Sequence, residues 1–380
     1  MNIQGTVIAG DAAGFEGSPG PEQQWSLMRE RLPLLRVEPD EWVRRMMRWH
    51  FSPETGSPFW LRRRERLDFD PLRDVTGVAD LHLFGLFDKA DLRDAAVRDL
   101  LPRGFRDREF RIVETGGTTG KPIRVIDVTR AINDVAIYRA MLEARGVAGG
   151  DAVAMAPSGP HAYGHFVSRL LNSWSGATFF IDFDPRWVKH LIRTGGDAGD
   201  YVAHLCAQTE SLLEDERPSL LFTTSKLLLQ LVATLPRPLA GYGVRAVCTG
   251  GTSCSPEEAR YLREEHLGEV QWIDNYGSTL MGHALPGEPL RPGGSTTYHL
   301  PPPLSFIRVV DPAAPHREVA VGERGRILVN TLLEDLFIPN LLERDSAEAT
   351  APHPWFPWPG VRHVRPYEAP DAEAVTEGVY

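Results

Sequence analysis

The chain has 380 residues, of which 42% are hydrophobic and 24% charged, and it carries a net charge of −10. This composition is typical of a globular protein with one large domain or two domains, and the acidic excess argues against a nucleic-acid partner. No apolar run approaches the roughly 18 residues of a membrane span, and the first residues lack the pattern of a secretion signal. We therefore expect a cytoplasmic protein with no membrane partner.

The three cysteines, Cys206, Cys248 and Cys254, have no CxxC spacing. An odd number without that spacing favours neither a disulfide framework nor a zinc site. We therefore expect buried thiols and assign no residue as a metal ligand.

The N-terminal region combines an irregular arm with two amphipathic helices. Residues 1–24 are rich in Gly, Pro, Ala and Glu, which predicts a loose arm. Apolar residues then recur at intervals of three and four over residues 25–35 and 41–51, which predicts two amphipathic helices. Further on, residues 80–93 predict a strand or turn followed by a helix capped near Asp88.

Residues 114–124 read Glu-Thr-Gly-Gly-Thr-Thr-Gly-Lys-Pro-Ile-Arg and predict a loop that binds an anion. The glycines let the backbone turn so that successive N–H groups converge, the threonines offer hydroxyl donors, and Lys121 adds a positive charge. Lys121 is one of only four lysines in the chain. We interpret the segment as a phosphate clamp formed by Thr115, Gly116, Gly117, Thr118, Thr119, Gly120 and Lys121.

Two common nucleotide-binding loops do not fit this segment. A Walker A loop needs a glycine where Thr115 stands and a Ser or Thr where Pro122 follows the lysine. A Rossmann fingerprint needs Gly-x-Gly-x-x-Gly opening a helix, whereas Pro122 leads into a strand-like run over residues 123–126. A hairpin turn rich in Gly and Thr remains the alternative to a phosphate clamp.

Strands and helices alternate after this loop. Residues 129–146 predict a long helix, and short buried strands are predicted at 151–156, 177–182, 220–225 and 244–251. Helical segments separate these strands, which is the alternation that parallel sheets produce, so we predict an α/β fold. The predicted inner face of the first helix comprises Ile132, Val135, Ala136, Tyr138, Met141 and Leu142.

Small and polar residues follow two of the predicted strands, where open α/β sheets bind their ligands. One strand runs into a double glycine, and Ser255 caps the helix after it. The next strand runs into Asn-Tyr-Gly-Ser-Thr, a sequence that a core strand does not readily explain. The ligand-binding candidates at these strand ends are Gly250, Gly251, Thr252, Asn275, Tyr276, Gly277, Ser278 and Thr279.

The C-terminal part of the chain predicts β structure and then a tail. Residues 306–312 and 321–331 read as a β-hairpin. The last residues contain clustered prolines and aromatics and show no clear periodicity. We divide the chain into an arm with helices (1–50), a main domain (51–350) and a tail (351–380).

Four ordered motifs resemble those of the adenylate-forming superfamily, which includes acyl- and aryl-CoA ligases and peptide-synthetase adenylation domains. The clamp over residues 115–122 resembles the family's [Ser/Thr]-Gly-[Thr/Ser]-Thr-Gly-Lys-Pro loop, and residues 276–279 resemble its Tyr-Gly-x-Thr-Glu motif. Residues 306–331 resemble its Val-Asp-Pro and Gly-Glu-x-Gly-x-Leu stretch, and Asp345 ends a segment like its Pro-x-x-x-Tyr-x-x-Gly-Asp motif. Residues 80–93 are similar to the phenylacetate-CoA ligase branch.

The resemblance implies the large N-terminal domain of such an enzyme, with mixed β-sheets flanked by helices and a small β-subdomain. In the family the loop closes over the ATP phosphates, the motif tyrosine packs on adenine and the final aspartate binds the ribose. These roles fall here on Lys121, Tyr276 and Asp345, and the backbone through Thr279 would surround the α-phosphate. The candidates for the acid-binding side are His161, Tyr163, His165 and Trp174.

Two departures from the family pattern affect the predicted chemistry. Leu280 stands where the family has a glutamate that holds magnesium, so we expect Mg²⁺ to be held weakly. No lysine follows Lys226, whereas relatives carry a catalytic lysine in a small, mobile C-terminal domain, which we expect this chain to lack. We therefore expect slow adenylation by this chain unless a partner protein supplies the missing group or an arginine replaces the lysine. Arg344, beside Asp345, is the preferred replacement, because a guanidinium group suits phosphate and carboxylate.

These observations predict an ATP-dependent ligase that activates a small aromatic carboxylate as an acyl-adenylate. The acceptor is left open between CoA, a carrier-protein thiol and an amine, and a homodimer is also left open. The alternatives are a catalytically silent relative that binds nucleotide or ligand as a partner protein, and an ATP-dependent enzyme that activates another oxyanion. Retention of Lys121 favours the enzyme, whereas Leu280 favours the silent form.

Overall fold

The computed structural model describes residues 21–116, 121–174, 176–252, 254–288 and 294–367. Residues 1–20 of the predicted arm and four predicted clamp residues, Gly117, Thr118, Thr119 and Gly120, lie outside the described residues. Within the described ranges, no helix is both long enough and apolar enough to cross a bilayer.

Helices dominate the first hundred described residues, strands and helices then alternate, and the last third is β structure. The helices are α1 (Pro21–Arg31), α2 (Pro39–Phe51), α3 (Pro58–Arg64), α4 (Pro71–Asp74), α5 (Lys89–Asp94), α6 (Val97–Leu100), α7 (Arg130–Ala144), α8 (Ala162–Asn172), α9 (Pro185–Arg193), α10 (Gly199–Glu216), α11 (Ser225–Thr234) and α12 (Pro256–Tyr261), which continues into a π-helical turn, Leu262–Leu267. Short 3₁₀ turns cover Pro33–Arg36, Val78–Phe84, Arg103–Phe105 and Leu239–Tyr242. The strands are β1 (Arg111–Glu114), β2 (Arg124–Asp127), β3 (Ala152–Met155), β4 (Thr178–Ile181), β5 (Leu220–Thr223), β6 (Ala246–Thr249), β7 (Gln271–Asp274), β8 (Tyr276–Ser278), β9 (Gly282–Gly287), β10 (Thr297–His299), β11 (Ser305–Asp311), β12 (Ala314–Glu318), β13 (Arg324–Leu332), β14 (Phe337–Thr350) and β15 (Gly360–Pro366).

Side chains fix the starts of two helices as the sequence predicts. The Asp88 carboxylate accepts a hydrogen bond from the Ala90 N–H at 2.8 Å at the start of α5. Ser255 and Glu258 form a capping box at α12, in which each side chain accepts from the other's backbone N–H, at 3.1 and 2.9 Å. Each cap satisfies N–H groups that a helix start leaves without partners.

A five-stranded parallel sheet occupies the middle of the molecule, with the strand order β4-β3-β5-β6-β7. Every residue of β3, β5 and β6 is buried, as expected for parallel strands covered by helices on both faces. The chain leaves β3 for β4 on one side and later returns to β5 on the other. A topological switch point therefore lies between the carboxyl ends of β3 and β5.

An antiparallel sheet of eight strands follows, in the order β12-β11-β13-β14-β15-β10-β9-β8. Strands β11 and β13 pair as predicted, but they are not a simple hairpin, because β12 lies between them in sequence and pairs with the other edge of β11. Strand β15 lies between β14 and β10, and its Val361 is completely buried. The predicted tail over residues 351–380 is corrected accordingly, since part of it completes this sheet.

The N-terminal helices share the largest hydrophobic core with the antiparallel sheet. Met46 and Phe51 of α2 are completely buried, and the Phe51 ring lies 6.0 Å from that of Phe337 at the start of β14. The indole N–H of Trp42 donates to the Leu332 carbonyl at 2.7 Å. Full burial of each large apolar side chain contributes about 1.5–3 kcal/mol. The predicted boundary near residue 50 therefore does not separate two cores.

The inner face of α7 largely follows the prediction, with one correction. Val135, Tyr138, Met141 and Leu142 are buried, and Ala136 is partly buried. Ile132 is 48% exposed. The buried side of α7 starts at Arg130, and Ile132, two residues later, points about 200° away from it on an α-helix.

Candidate functional site

The two sheets meet at Asn275, the single residue between β7 of the parallel sheet and β8 of the antiparallel sheet. Asn275 is buried, and its amide donates to the Thr249 carbonyl at the end of β6 at 2.8 Å. The antiparallel sheet thus begins directly at the carboxyl edge of the parallel sheet. Side chains from both sheets can therefore face one ligand there.

Tyr163, Gly250 and Asn275 come together at this edge. The Tyr163 hydroxyl donates to the Thr223 carbonyl at the end of β5, at 3.3 Å. A Cβ atom placed on Gly250 would lie 3.3 Å from Cε2 of Tyr163 and 3.6 Å from Cβ of Asn275. Gly250 thus has a predicted acid-side residue, Tyr163, and a predicted nucleotide-side residue, Asn275, directly beside it.

The described ends of the predicted clamp lie between two paired strands. Strands β1 and β2 are antiparallel, and Thr115 is bonded to Ile123 twice, through its backbone N–H at 2.9 Å and through its hydroxyl, which accepts at 3.0 Å. Lys121 is exposed, and its carbonyl accepts from Arg93 at 3.2 Å. The described flanks therefore leave the Lys121 ammonium group open to solvent.

Glu114, at the end of β1, ties the clamp to the parallel sheet. It is buried and forms ion pairs with Arg124, at 2.8 Å, and with Arg186 of α9. Burial alone would raise the pKa of Glu114, but the two arginines lower it overall. Its N–H donates to the Pro160 carbonyl at 2.7 Å, directly before α8.

The turn after β8 is fixed to the clamp and to α7. The Thr279 hydroxyl donates to the Glu114 carbonyl at 3.4 Å. Buried Arg130 donates to the carbonyls of Thr279 and, at 3.3 Å, of Ser278. Because Arg130 engages these two carbonyls, it sets the orientation of the backbone that the sequence predicts around the α-phosphate.

Tyr276 and Asp345 meet although 69 residues separate them in the sequence. The phenol donates to Oδ2 of Asp345 at 2.8 Å, and the Tyr276 ring centroid lies 5.7 Å from that of Tyr298. Burial raises the pKa of Asp345, and the Tyr276 hydrogen bond opposes that rise. The predicted adenine-side and ribose-side residues are therefore neighbours. Arg344 beside them is exposed.

Glu343 and Lys89 are site residues that the sequence reasoning missed. Buried Glu343 accepts from Lys89 at 2.5 Å and from the Ser278 hydroxyl at 3.2 Å. Glu343 and Asp345 lie in the part of β14 where the register against β13 shifts, between the pair of Leu342 with Leu328 and the pair of Ser346 with Arg326. Regular alternation along the sequence therefore gave no signal for Glu343.

The described side chains do not form a protein-made magnesium site. Leu280 is buried, and its carbonyl accepts from the Thr331 hydroxyl at 2.8 Å. The nearby carboxylate of Glu343 is already paired with Lys89. No group of three or more His, Cys, Asp or Glu side chains in the described ranges is placed to hold a metal ion.

Two of the four predicted acid-side residues, His165 and Trp174, contact other parts of the molecule than Tyr163 does. His161 is buried, and its backbone forms an isolated β-bridge with that of Glu114. Burial is the main cause that lowers the pKa of His161, and the positive charge of Arg186 lowers it further. His165 follows Tyr163 by two positions on α8, and this spacing turns its side chain about 200° away from that of Tyr163. Its Nδ1 atom is hydrogen-bonded to Arg111 at 3.0 Å.

The prediction that Trp174 lies on the acid-binding side is corrected, because Trp174 follows the far end of α8. The helix has 11 residues, or about 16 Å at roughly 1.5 Å per residue. A Cβ atom on Gly149 would lie 2.6 Å from Cδ1 of Trp174, so the indole packs at the amino edge of β3. Trp174 therefore faces away from the carboxyl edge where Tyr163 lies.

Comparisons with known protein families and with curated protein sequences find no match. Solved structures of 2-hydroxyisobutyryl-CoA ligase are similar in fold. The open form in complex with 2-HIB-AMP and CoA matches with a TM-score of 0.61 and 16% identity, over 85% of this chain and 72% of that one. The postadenylation state with R3-HIB-AMP matches with a TM-score of 0.62 and 15% identity, over 85% and 65%. The chain thus spans about two thirds of that ligase, and it has the α/β fold of the N-terminal domain of adenylate-forming enzymes.

Proposed function

We propose that this chain is an ATP-dependent ligase that activates a small carboxylate as an acyl-adenylate. The observation that carries this proposal is the meeting of the clamp, the turn after β8 and the parallel-sheet edge, through the contact of Thr279 with Glu114 and that of Tyr163 with Gly250. ATP would lie across these segments, with phosphates at Lys121 and ribose at Asp345. A cytoplasmic location accords with this use of ATP.

The proposed reaction joins two anions. A carboxylate oxygen attacks the α-phosphorus of ATP and forms a new O–P bond. The bond from that phosphorus to the α,β-bridging oxygen breaks, so that pyrophosphate leaves. Catalysis of such a step is mainly positioning and stabilisation of charge. Lys121 and Arg344 supply positive charge, and Thr279 supplies a hydroxyl whose place is fixed by Glu114.

An aromatic acid is the proposed substrate class, on the phenylacetate-CoA ligase pattern. Tyr163 leads into an aromatic cluster in which its ring lies 6.4 Å from Phe166 and 6.4 Å from His283. Phe166 and His283 are themselves 4.0 Å apart. Pockets for small ligands combine such apolar and aromatic walls with a few polar groups.

A thiol is the proposed acceptor, either that of CoA or that of a carrier protein. The 2-hydroxyisobutyryl-CoA ligase of similar fold binds 2-HIB-AMP and CoA. An amine acceptor and a homodimer are compatible with the fold but have no specific support among the described contacts.

A silent nucleotide-binding relative is the second candidate, because Leu280 is buried and Glu343 is engaged by Lys89. Calorimetry with ATP and AMP, combined with a screen of small acids for pyrophosphate release, separates the two candidates. The enzyme binds ATP and releases pyrophosphate only when an accepted acid is present. ATP binding without turnover of any acid supports the silent form, and absence of nucleotide binding contradicts both.

A further inference from the structure

Lys189 lies beside the first glycine of the clamp, and the charges of three arginines act on it. Arg186, Lys189 and Arg193 lie on α9, and Arg344 of β14 is close enough to influence Lys189. A Cβ atom placed on Gly116 would lie 3.5 Å from the Lys189 amine. We name these four side chains the α9 cation patch.

Lys189 differs from two of the other lysines in having no acidic partner among the described residues. Lys89 is paired with Glu343 at 2.5 Å, and Lys226 is paired with Glu258 at 2.6 Å. Arg186 in the patch is paired with Glu114. Lys189 is half-buried, and no described carboxylate forms an ion pair with its amine.

Gathering like charges around a half-buried ammonium is unfavourable until an anion joins them. Burial, followed by the charges of Arg344, Arg193 and Arg186, lowers the pKa of Lys189. The patch is therefore organised for an anionic ligand that enters from outside.

The position of Lys189 indicates which anion it receives. Gly116 opens the predicted phosphate clamp, and α9 follows β4, the edge strand of the parallel sheet. Tyr163, on the proposed acid side, instead contacts the end of β5, two strands away from β4. Lys189 is thus placed beside the predicted phosphate clamp and away from the proposed acid side.

We propose that Lys189 binds the β- and γ-phosphates of ATP beside Gly116. It thereby supplies, from within the described domain, a cation for the phosphate chain as negative charge gathers on the leaving pyrophosphate. This inference rests on the proposed function. No proton is transferred, since the ammonium group acts as a fixed positive charge and hydrogen-bond donor to phosphate oxygens.

Binding of ATP, AMP and inorganic pyrophosphate to Lys189→Met and Lys189→Arg tests the proposal. A lost hydrogen bond between charged groups corresponds to about 10- to 100-fold in affinity. Lys189→Met should therefore lose about that much affinity for ATP and pyrophosphate and change less than about threefold for AMP. Lys189→Arg should recover most of the loss. Arg308→Met, which removes one charge from an exposed ion pair on β11, is the matched control.

Circular dichroism of each variant shows whether it is folded. If Lys189→Met does not fold, the comparison of Lys189→Arg with wild type replaces it. A wild-type protein that binds ATP, together with a folded Lys189→Met that binds ATP and pyrophosphate equally well, would overturn this inference alone. Equal losses for AMP and ATP would also overturn it, because they indicate a general structural role. A wild-type protein that binds neither ATP nor pyrophosphate would overturn the proposed function as well.

Discussion

Replacement of Lys89 by Met should destabilise the protein much more than replacement of Lys226 by Met. Both lysine side chains are 30% exposed, but the Lys89 partner, Glu343, is 6% exposed and the Lys226 partner, Glu258, is 29% exposed. The first substitution leaves a buried carboxylate that, among the described residues, keeps the Ser278 hydroxyl as a hydrogen-bond donor. The second leaves a carboxylate that water can solvate.

The structure sets the expected size of each effect. Removal of one partner of a fully buried pair costs about 3–5 kcal/mol, and the exposure of Lys89 reduces our expectation to about 2–3 kcal/mol. Loss of the Lys226 pair should cost about 0.2–1 kcal/mol, as for exposed pairs. The double variant Lys89→Met/Glu343→Gln should recover part of the loss, because it removes the unpaired charge.

Urea unfolding followed by tryptophan fluorescence measures these differences. The free energies of unfolding of wild type, both single variants and the double variant are compared under the same conditions. Equal losses for Lys89→Met and Lys226→Met, or a double variant that is less stable than Lys89→Met, would refute the reasoning. Either result would mean that Glu343 is better solvated or otherwise neutralised.

Three other predictions concern the site. Asp345→Asn should be more stable than wild type at neutral pH but bind ATP more weakly. Burial raises the pKa of Asp345, so the contribution of this carboxyl group to stability is present below its unfolded pKa and is lost as pH rises through its folded pKa. Urea unfolding from about pH 3 to about pH 7 can check this loss. Gly250→Val should weaken ligand binding more than Gly250→Ala, since even a Cβ atom would lie 3.3 Å from the Tyr163 ring. Calorimetry measures both affinities. Arg130→Met frees two turn carbonyls and should lower kcat for pyrophosphate release by about 10- to 100-fold with a smaller change in KM for ATP. Unchanged kcat would show that the Ser278 turn holds its place without Arg130.

Local signals made part of the fold predictable from the sequence. The helix caps at Asp88 and Ser255 were predictable because each capping side chain and the N–H group it accepts from are at most three positions apart in the sequence. The buried strands and the helices between them also follow from short apolar runs and turn residues. Strand β15 was missed, since the prolines and aromatic residues over 354–359, directly before it, obscure the short alternation that places Val361 in the core.

The missed site residues depend on contacts between distant parts of the chain. Lys89 and Glu343 meet across 254 positions, and nothing local to Lys89 indicates a buried acid. Lys189 lies on α9, a helix that the sequence reasoning did not identify, so its position beside Gly116 was not foreseen. His165 shows the opposite error. It follows Tyr163 closely in sequence, but helix geometry turns it toward β1.

Isotope transfer tests the proposed adenylation most directly. An accepted acid labelled with ¹⁸O in its carboxylate is incubated with ATP and the wild-type chain, with hydroxylamine as the acceptor, and the AMP is examined by mass spectrometry. Attack of the carboxylate on the α-phosphorus, followed by transfer of the acyl group, predicts AMP that carries one ¹⁸O atom. Unlabelled AMP, or label in inorganic phosphate, would contradict acyl-adenylate formation.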